Sequence, residues 1–297
     1  MLKELKTVID ESKIKINVPM SSYTTFKTGG NADIMLCPTS TEELRNIVKF
    51  FYESKTPYYV LGNGSNLLVS DSGLKKPVIY IGRNFNSIEQ FDDCITANAG
   101  AYLSTIAKKA CEASLSGFEF AAGIPGTLGG ALIMNAGAYG GEMKDVVEAV
   151  SFIDPSGDEH VVSGEEMEFS YRRSALSDTD CIITGASLKL HYGNKSDIAE
   201  KMAELAAKRR EKQPLEYASA GSTFKRPMGY FAGALIESCN LKGKTIGGAQ
   251  VSEKHAGFVI NKGNASTKDI LELINYIRET VYNTHGVILE TEVKYWD

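Results

Sequence analysis

The sequence predicts an α+β fold with a separate C-terminal domain. Four stretches carry apolar residues at helical spacing: 40–52, 102–113, 197–212 and 266–282. Short apolar runs between them predict strands. A charged amphipathic stretch begins near residue 195 and marks the expected domain boundary. At 297 residues the chain is long enough for two domains or for one large one.

Strand and helix signals alternate in the first third of the chain. A strand is predicted over 32–37. Ser40 followed by Glu43 is the pattern of a capping box, so the first strong helix should begin there. Its inward residues should be Leu44, Ile47, Val48 and Phe51. The run 58–61 predicts a buried strand that leads directly into a turn rich in Gly, Asn and Ser.

The middle of the chain should hold further strands and one helix. We expect strands over 78–81, 95–97 and 181–190 and a helix over 102–113. The turn signal at Asp154–Gly157 should join the strands 146–153 and 160–162 into a hairpin. The acidic stretch 165–171 looks helical and leads to Arg172.

The last third should form the C-terminal domain. Pro214 ends its first helix, because proline cannot continue one. We then expect a helix over 230–238, strands over 247–251 and 258–260, a helix from Ser266 or Thr267 to about Tyr282, and a strand over 287–295. If Leu289 and Val293 point inward in that last strand, Thr291 shares their face and Glu292 lies on the other.

Composition excludes several classes of protein. The net charge of −5 gives no field that favours nucleic acid or an anionic membrane. No apolar run approaches the ~18 residues of a membrane span, and the N-terminus lacks the apolar region of a secretory signal. The five cysteines are scattered, odd in number and never in C-x-x-C spacing, which indicates a reducing compartment and no metal site. We therefore expect a cytoplasmic protein that binds neither nucleic acid nor membrane.

Two glycine-rich segments are the main functional candidates. Residues 117–141 contain eight glycines and a single ionised side chain, Glu119. Such a segment suits either a loop wrapped around a ligand or tight turns that pack a helix on a sheet, and the glycines alone do not separate the two. The second segment, Gly62–Asn66, lacks the third glycine of a dinucleotide fingerprint, because Leu67 stands there. Its small, donor-rich residues favour a pyrophosphate-binding turn.

Three polar residues outside these segments are candidates for chemistry: Arg172 in SYRRS, Ser222 in AGSTFKRP, and Glu292 in the last strand. Taken alone, each suits a structural role, as a paired arginine, a turn serine or a solvent-facing glutamate. Ser222 has no nucleophile-elbow motif and no triad partner, so hydrolase chemistry is not supported. These residues by themselves do not define a reaction.

The motifs in order resemble a known family. YTTFKTGG, LGNGSNLLV, GFEFAAGIPGTLGGALIMNAGAYGGE, SYRRS, AGSTFKRP, GGAQVSEKHAGFVIN and LETEV are similar to those of UDP-N-acetylenolpyruvoylglucosamine reductases, also called UDP-N-acetylmuramate dehydrogenases, over about 17–294. The glycine-rich block is typical of the wider flavoprotein family related to vanillyl-alcohol oxidase. The resemblance implies two FAD-binding subdomains, 1–82 and 83–195, and a C-terminal α+β substrate domain, 196–297.

The resemblance implies non-covalent FAD along both glycine-rich segments, with NADPH as its reductant. The implied FAD-binding residues are Gly62, Asn63, Gly64, Ser65, Asn66, Gly117, Gly123, Ile124, Pro125, Gly126, Gly129, Gly130, Asn135 and Gly137. NADPH reduces the flavin and leaves, and the UDP-sugar then binds in the vacated site.

The implied reaction reduces the enolpyruvyl ether of UDP-N-acetylglucosamine to UDP-N-acetylmuramate, in peptidoglycan precursor synthesis. By resemblance, flavin N5 delivers a hydride to C3, Ser222 protonates C2, and Arg172 and Glu292 stabilise the enolic intermediate. A planar guanidinium suits a carboxylate-conjugated carbanion. Glu292 could donate a proton only if its pKa were raised.

Two departures from the family pattern concern the substrate. Arg226 stands where the family commonly has asparagine, and it could pair with a diphosphate. The chain resembles the shorter form of the family, which lacks a tyrosine-bearing loop over the substrate, and Tyr230 is a candidate to replace it. Tyr171 and Lys225 complete the implied substrate-binding set.

Two other functions remain open at this stage. An oxidase of the same flavoprotein fold would use O₂ on a small alcohol and often tethers its flavin through a His or Cys. In the first subdomain only Cys37 could do so, because no histidine precedes His160. A non-catalytic nucleotide-binding protein would contain no flavin.

Overall fold

The computed structural model describes residues 1–297, which form two compact units. The first unit consists of Met1–Lys15, Ile34–Asn63 and Lys76–Arg209. The second consists of Ile16–Asp33, Gly64–Lys75 and Arg210–Asp297. These units divide the chain differently from the implied three-part fold of two FAD-binding subdomains, 1–82 and 83–195, and a C-terminal domain, 196–297, which remains a prediction.

The helices of the chain are α1 (Leu2–Val8), α2 (Thr41–Glu53), α3 (Leu103–Glu112), α4 (Leu128–Ile133), α5 (Lys195–Lys212), α6 (Ala232–Ser238) and α7 (Thr267–His285). Short 3-10 helices cover Glu11–Lys13, Met20–Ser22, Glu119–Ala121 and Met143–Asp145. No helix has the length and apolar character needed to cross a membrane.

The strands are β1 (Ile14–Pro19), β2 (Asn31–Leu36), β3 (Tyr59–Leu61), β4 (Leu67–Val69), β5 (Val78–Tyr80), β6 (Ile88–Phe91), β7 (Cys94–Asn98), β8 (Leu115–Ser116), β9 (Gly137–Ala138), β10 (Gly141–Glu142), β11 (Val147–Ile153), β12 (Glu159–Ser163), β13 (Ile182–Lys189), β14 (His191–Tyr192), β15 (Thr245–Ile246), β16 (Ala249–Val251), β17 (Val259–Asn261) and β18 (Lys294–Trp296).

Two sheets position the candidate segments of the first unit. One has the order β1-β2-β5-β3, and β5 pairs in parallel with both β2 and β3. The other is antiparallel, in the order β12-β11-β13-β7-β6, and α3 and α4 lie against it. Strand β3 is paired with β5, whose Ile79 lies in the same hydrophobic core as Leu128, Ala131 and Leu132 of α4.

The second unit has its own core, built around α7 and the antiparallel sheet β15-β16-β17. Ser266 Oγ accepts from the Asp269 N–H, the Asp269 carboxylate accepts from the Ser266 N–H, and this capping box starts α7. Gly286, with φ of 68°, ends the helix in the left-handed conformation. The predicted inward residues of this helix are all buried: Ile270, Leu273, Ile274, Ile277 and Val281.

The long helices and the hairpin are where the sequence places them. Ser40 Oγ accepts from the Glu43 N–H at 3.2 Å and begins α2, and the four predicted inward residues are buried. The Glu43 carboxylate, however, accepts from the Thr39 N–H at 2.8 Å, so the reciprocal bond lies one residue earlier than in a capping box. Strands β11 and β12 pair across the turn at Asp154–Gly157 as expected.

Four local predictions are wrong. Residues 165–171 form turns, because Glu168 adopts a left-handed φ of 46° that stops a helix. Only the end of the predicted strand 287–295 belongs to a ladder, as β18; Thr291 makes one isolated bridge and is exposed. Val60 in β3 is 38% exposed rather than buried. The helix predicted from Tyr230 begins at Ala232.

Candidate active site

The first two residues of the turn after β3 pack on the glycine-rich segment within the first unit. A Cβ on Gly62 would lie 2.5 Å from Thr127 Oγ1, so this position has room for glycine alone unless the threonine moves. Asn63 Nδ2 donates to the Pro125 carbonyl at 2.7 Å. Residues from both candidate cofactor-binding segments are therefore in direct contact.

The rest of that turn belongs to the second unit. Gly64 has φ of +61°, and a Cβ there would lie 2.0 Å from the Tyr23 carbonyl oxygen. Asn66 Nδ2 donates to the Glu292 carbonyl at 3.0 Å, and the Asn66 carbonyl accepts from the Lys294 N–H at 3.0 Å. Ser65 between them is half-buried. Asn66 therefore bonds the turn to the backbone of Glu292 and Lys294, and Gly64 sets the shape of the turn.

Part of the glycine-rich segment packs against protein. The amides of Leu128 and Gly129 donate to the Ala101 and Ala99 carbonyls, at 2.8 Å each. A Cβ on Gly129 would lie 3.0 Å from Ala99 Cβ. Here the packing interpretation of the glycines is supported, because the backbone of α4 lies so close to Ala99 that a side chain at Gly129 would crowd it.

At two other predicted cofactor-binding positions, the local backbone geometry favours glycine over any residue with a side chain. Gly117 has φ of +112°, and its N–H donates to Glu119 Oε2 at 2.9 Å. A Cβ on Gly137 would lie 2.7 Å from the Gly141 carbonyl oxygen, across the β9-β10 hairpin. Glu119, the only carboxylate in this segment, therefore accepts a hydrogen bond from a backbone N–H.

Other glycines have free space beside their Cα atoms. A Cβ on Gly126 would meet nothing nearer than 3.9 Å, and one on Gly130 nothing nearer than 3.7 Å. The Gly126 N–H donates to the Ile124 carbonyl and its carbonyl accepts from the Leu103 N–H, so this glycine offers space and not a donor. A Cβ on Gly123 would lie 3.4 Å from the Arg209 guanidinium, whose pKa is lowered by burial but whose charge persists because its ordinary pKa is so high. Free space beside glycines together with a nearby cation fits a flat, anionic cofactor, and Ile124 and Pro125 lie between these glycines.

Arg172 occupies a tight turn of the first unit. Ser170 and Arg173 form an antiparallel bridge around Tyr171 and Arg172. Arg172 has φ of +57°, and its guanidinium carbon lies 5.2 Å from the centre of the Tyr171 ring. The buried side chain of Asn135 donates to the Ser170 carbonyl at 3.2 Å. A residue predicted to bind cofactor therefore contacts the turn that carries a predicted catalytic residue.

Ser222 and Glu292 lie on adjacent extended segments of the second unit. Phe224 and Thr291 form an antiparallel bridge, which places Thr223 opposite Glu292. The Glu292 N–H donates to the Thr223 carbonyl at 2.9 Å. The fold thus brings together two predicted catalytic residues that are 70 positions apart in the chain. Both side chains are half-buried.

The predicted substrate-binding residues of the second unit follow Ser222. Lys225 Nζ pairs with Glu290 Oε2 at 3.1 Å. The guanidinium carbon of Arg226 lies 4.1 Å from the centre of the Phe231 ring, and Tyr230 is 49% exposed. Arg226 is exposed, whereas Lys225 is half-buried beside its carboxylate partner.

Sequence reasoning missed the residues that hold Ser222 in place. Thr223 is fully buried: its N–H donates to the Gly257 carbonyl at 2.9 Å, and its Oγ1 accepts from the Val259 N–H at 3.0 Å. His255 Nδ1 accepts from the Gly257 N–H at 3.1 Å. The only sequence signal was alternation, which turns Thr223 inward when Ser222 faces outward.

We expect the protein to lose stability in mild acid because of His255. Burial lowers the pKa of this imidazole below its ordinary 6.5, and the bond from Gly257 requires Nδ1 without a proton. The unfolded chain therefore takes up the proton at higher pH, and stability present above about pH 6.5 falls as the pH drops through 6.5 toward the lowered value. Thermal unfolding followed between about pH 5.5 and about pH 8 should show this loss.

The matched variant is His255→Asn, whose amide oxygen can accept from Gly257 without titrating. Its melting temperature should depend less on pH than that of the wild type over the same range. Lys242 lowers and Glu237 raises the pKa of the imidazole, and each of these effects is smaller than that of burial. An equal acid-induced loss in both proteins would assign the effect to other groups.

Comparison with known proteins identifies the family. The UDP-N-acetylenolpyruvoylglucosamine reductase of Clostridioides difficile is 52% identical over 98% of this chain and 95% of its own length. This chain belongs to the UDP-N-acetylenolpyruvoylglucosamine reductase family. The reductase of Caldanaerobacter subterraneus is 50% identical over 99% of this chain and 97% of its own length.

Family models and solved structures agree with membership in the reductase family. An FAD binding domain model matches residues 32–163, and the C-terminal domain model of the reductases matches 213–296. The crystal structure of the Thermus caldophilus reductase superposes with a TM-score of 0.81 at 38% identity, over 96% of this chain and 98% of that one. The family resemblance and the predicted flavoprotein α+β fold are confirmed.

A more distant likeness is consistent with the wider fold. The structure of Phl p 4.0202, a glucose dehydrogenase, has a TM-score of 0.51 at 15% identity, over 65% of this chain and 44% of that one. At this identity the likeness shows the fold alone. The roles assigned to individual site residues remain predictions.

Proposed function

We propose that this chain is an FAD-dependent oxidoreductase that uses NADPH to reduce the enolpyruvyl ether of UDP-N-acetylglucosamine to UDP-N-acetylmuramate, in peptidoglycan precursor synthesis. The observation that carries the proposal is the match at about half identity to reductases of this name over nearly the whole chain. The reaction uses NADPH and a nucleotide sugar, and we place it in the cytoplasm. Residues 1–82 and 83–195 would bind FAD, and residues 196–297 the UDP-sugar.

When bound, FAD accepts a hydride from NADPH and supplies it to C3 of the enol ether. The residues that would hold FAD are those of the two glycine-rich segments. Gly126 and Gly130 leave space for a flat ring, and Arg209 beside Gly123 offers positive charge for a diphosphate. Gly62 and Asn63 fix the turn against these residues.

Ser222 would supply the proton that C2 needs. A serine hydroxyl is a weak acid, so it can serve only if it is held in place and kept from water. The fully bonded Thr223 next to it restrains the backbone of Ser222. The bond from the Glu292 N–H to Thr223 keeps the carboxyl group on the neighbouring segment, where it would stabilise the enolic intermediate.

Arg172 would neutralise the charge that develops on the substrate carboxylate, and its planar fork suits that group. Arg226 would bind the diphosphate, because its guanidinium is exposed and can bond to two phosphate oxygens at once. Tyr171 and Tyr230, both about half exposed, would complete the substrate site.

The purified wild-type protein tests the proposal. It should be yellow, release its flavin in acid, be bleached by NADPH, and regain its colour rapidly with the enolpyruvyl substrate. Fast reoxidation by O₂ with slow reoxidation by the substrate would instead indicate an oxidase. A colourless protein that does not take up FAD would contradict the proposal.

One observation disfavours an oxidase with tethered flavin. Cys37 is 5% exposed, and burial raises the pKa of its thiol. A buried, protonated thiol is a poor nucleophile for a covalent link to flavin.

A further inference from the structure

The buried amide of Asn135 uses all of its hydrogen-bonding atoms on protein groups. Its Oδ1 accepts from the Lys144 N–H at 3.0 Å. Because a backbone N–H can only donate, this contact fixes which side of the amide carries oxygen. The Nδ2 group then donates one bond to Glu142 Oε2 and another to the Ser170 carbonyl at 3.2 Å. With 1% of its surface exposed, Asn135 has little side-chain surface left for a cofactor.

The acceptor Ser170 begins the turn that presents Arg172. Its N–H donates to the Arg173 carbonyl at 2.9 Å, and the Arg173 N–H donates back at 3.2 Å. Arg172 between them has φ of +57°, a conformation that a residue other than glycine adopts at a cost of about 1–2 kcal/mol. Such a conformation persists only where the surrounding structure holds it. The bond from Asn135 is one of the contacts that hold it.

The other flank of the turn is bonded to the same part of the chain. Ser174 and Ser177 both donate through Oγ to the Ile133 carbonyl, at 3.1 Å and 2.7 Å. Ile133 ends α4, and Asn135 follows two residues later. Both ends of the Arg172 turn are therefore bonded to the C-terminal end of α4 and to the residue two positions after it.

We propose that Asn135 is a positioning residue for Arg172: its amide sets the backbone of the Tyr171–Arg172 turn relative to the glycine-rich segment. This assigns Asn135 a role different from the direct FAD contact that the family resemblance implies. The inference rests on the proposed function for what Arg172 does to the substrate. The positioning itself is a property of the fold and is tested separately.

Asn135→Asp tests the inference with almost no change in shape. The variant loses both N–H donors and places an oxygen against the Glu142 carboxylate and the Ser170 carbonyl. We expect flavin content and flavin reduction by NADPH close to wild type, and reoxidation by the enolpyruvyl substrate slowed about 10- to 100-fold by misplacement of Arg172. Stopped-flow measurement of the two half-reactions separates these rates.

The pH dependence of the variant gives a second signature. Repulsion from Glu142 should raise the pKa of the introduced carboxyl, and Lys144, whose Nζ pairs with Glu142 Oε1 at 2.8 Å, opposes this shift. The protonated form has one O–H donor, which the Glu142 carboxylate accepts in preference to the neutral Ser170 carbonyl. The melting temperature of Asn135→Asp relative to wild type should therefore rise as the pH falls from about 8 to about 6, while reoxidation stays slow because the bond to Ser170 is not restored.

Two further variants separate positioning from stability. Ile183→Val removes one methyl group from the core of the first unit and should lower the melting temperature without separating the two half-reactions. In the double variant Asn135→Asp, Glu142→Gln, the amide introduced at position 142 can donate to the new carboxylate, but the bond to Ser170 is not restored. This double variant should recover melting temperature and still reoxidise slowly.

Hydrogen exchange at Ser170 and Arg173 tests the positioning without any turnover. Their amides close the bridge, so they should exchange faster in Asn135→Asp than in Ile183→Val. Unchanged exchange, or an equal slowing of both half-reactions with loss of FAD, would overturn the inference. If the wild-type protein is not reoxidised by the enolpyruvyl substrate, the proposed function fails, and exchange at the two amides still decides whether Asn135 holds the turn.

Discussion

Ser222→Ala should leave flavin reduction by NADPH nearly intact and slow reoxidation by the enolpyruvyl substrate by about 10²–10⁴-fold, the loss expected when a general acid is removed. The reason is that the proton for C2 is needed only in the second half-reaction. Stopped-flow absorbance of the flavin measures both steps on one sample. The fold should persist, because Ser222 is half-buried and the neighbouring Thr223 provides the bonds to Gly257 and Val259.

The control for this comparison is Ser238→Ala in the same unit. Ser238 Oγ donates to the Leu235 carbonyl at 2.8 Å near the end of α6, and it has no proposed role in the reaction. This variant should change neither half-reaction. If Ser222→Ala slows both half-reactions equally, Ser222 is structural and another group provides the proton.

Gly64→Ala should weaken FAD binding on the order of 100-fold, a loss of about 2.7 kcal/mol. A Cβ there would lie 2.0 Å from the Tyr23 carbonyl oxygen, which is backbone and cannot swing aside. The left-handed φ of +61° adds a further penalty of about 1–2 kcal/mol. The turn would have to open, and with it the bond from Thr25 N–H to the Gly64 carbonyl. Titration of the apoprotein with FAD, followed by flavin fluorescence, measures the effect.

Gly286→Ala is the matched control, because Gly286 has φ of +68° and an added Cβ would meet nothing within 4 Å. It should cost only the left-handed penalty of about 1–2 kcal/mol in stability and leave the affinity for FAD unchanged. Because both positions have a left-handed φ, the difference in FAD affinity and stability between the two variants measures the effect of the steric clash with Tyr23 alone. FAD binding in Gly64→Ala at wild-type affinity would show that the turn does not shape the cofactor site.

The glycine-rich segments show how far residue patterns alone can lead. They indicated a ligand loop or tight packing without deciding between them, and the structure contains both. A side chain on Gly129 would crowd Ala99, whereas Gly126 and Gly130 have free space beside them. A glycine looks the same in sequence in either case, because the difference lies in which distant residue faces it.

The helices could be predicted because their signals are local. Ser40 and Ser266 cap α2 and α7 through bonds to residues three positions later, and the inward faces repeat every three to four residues. The segment 287–293 could not be predicted as it folds, because a strand exists only where another segment pairs with it. There Thr291 forms an isolated bridge with Phe224, flanked by the bonds Lys225 N–H to Glu290 and Glu292 N–H to Thr223, and the pairing does not extend into a ladder.

Residue patterns were sufficient to predict the α+β class, the long helices, the hairpin at Asp154–Gly157 and, through the motifs, the reductase family. These features rest on residues close together in the chain or on motifs that need no coordinates. The folded chain was needed to show that Thr223 lies opposite Glu292 and that Asn135 bonds to the turn of Arg172. Such pairings depend on how segments far apart in sequence meet, and every residue carries a backbone carbonyl, so the sequence does not indicate which carbonyl will accept the bond.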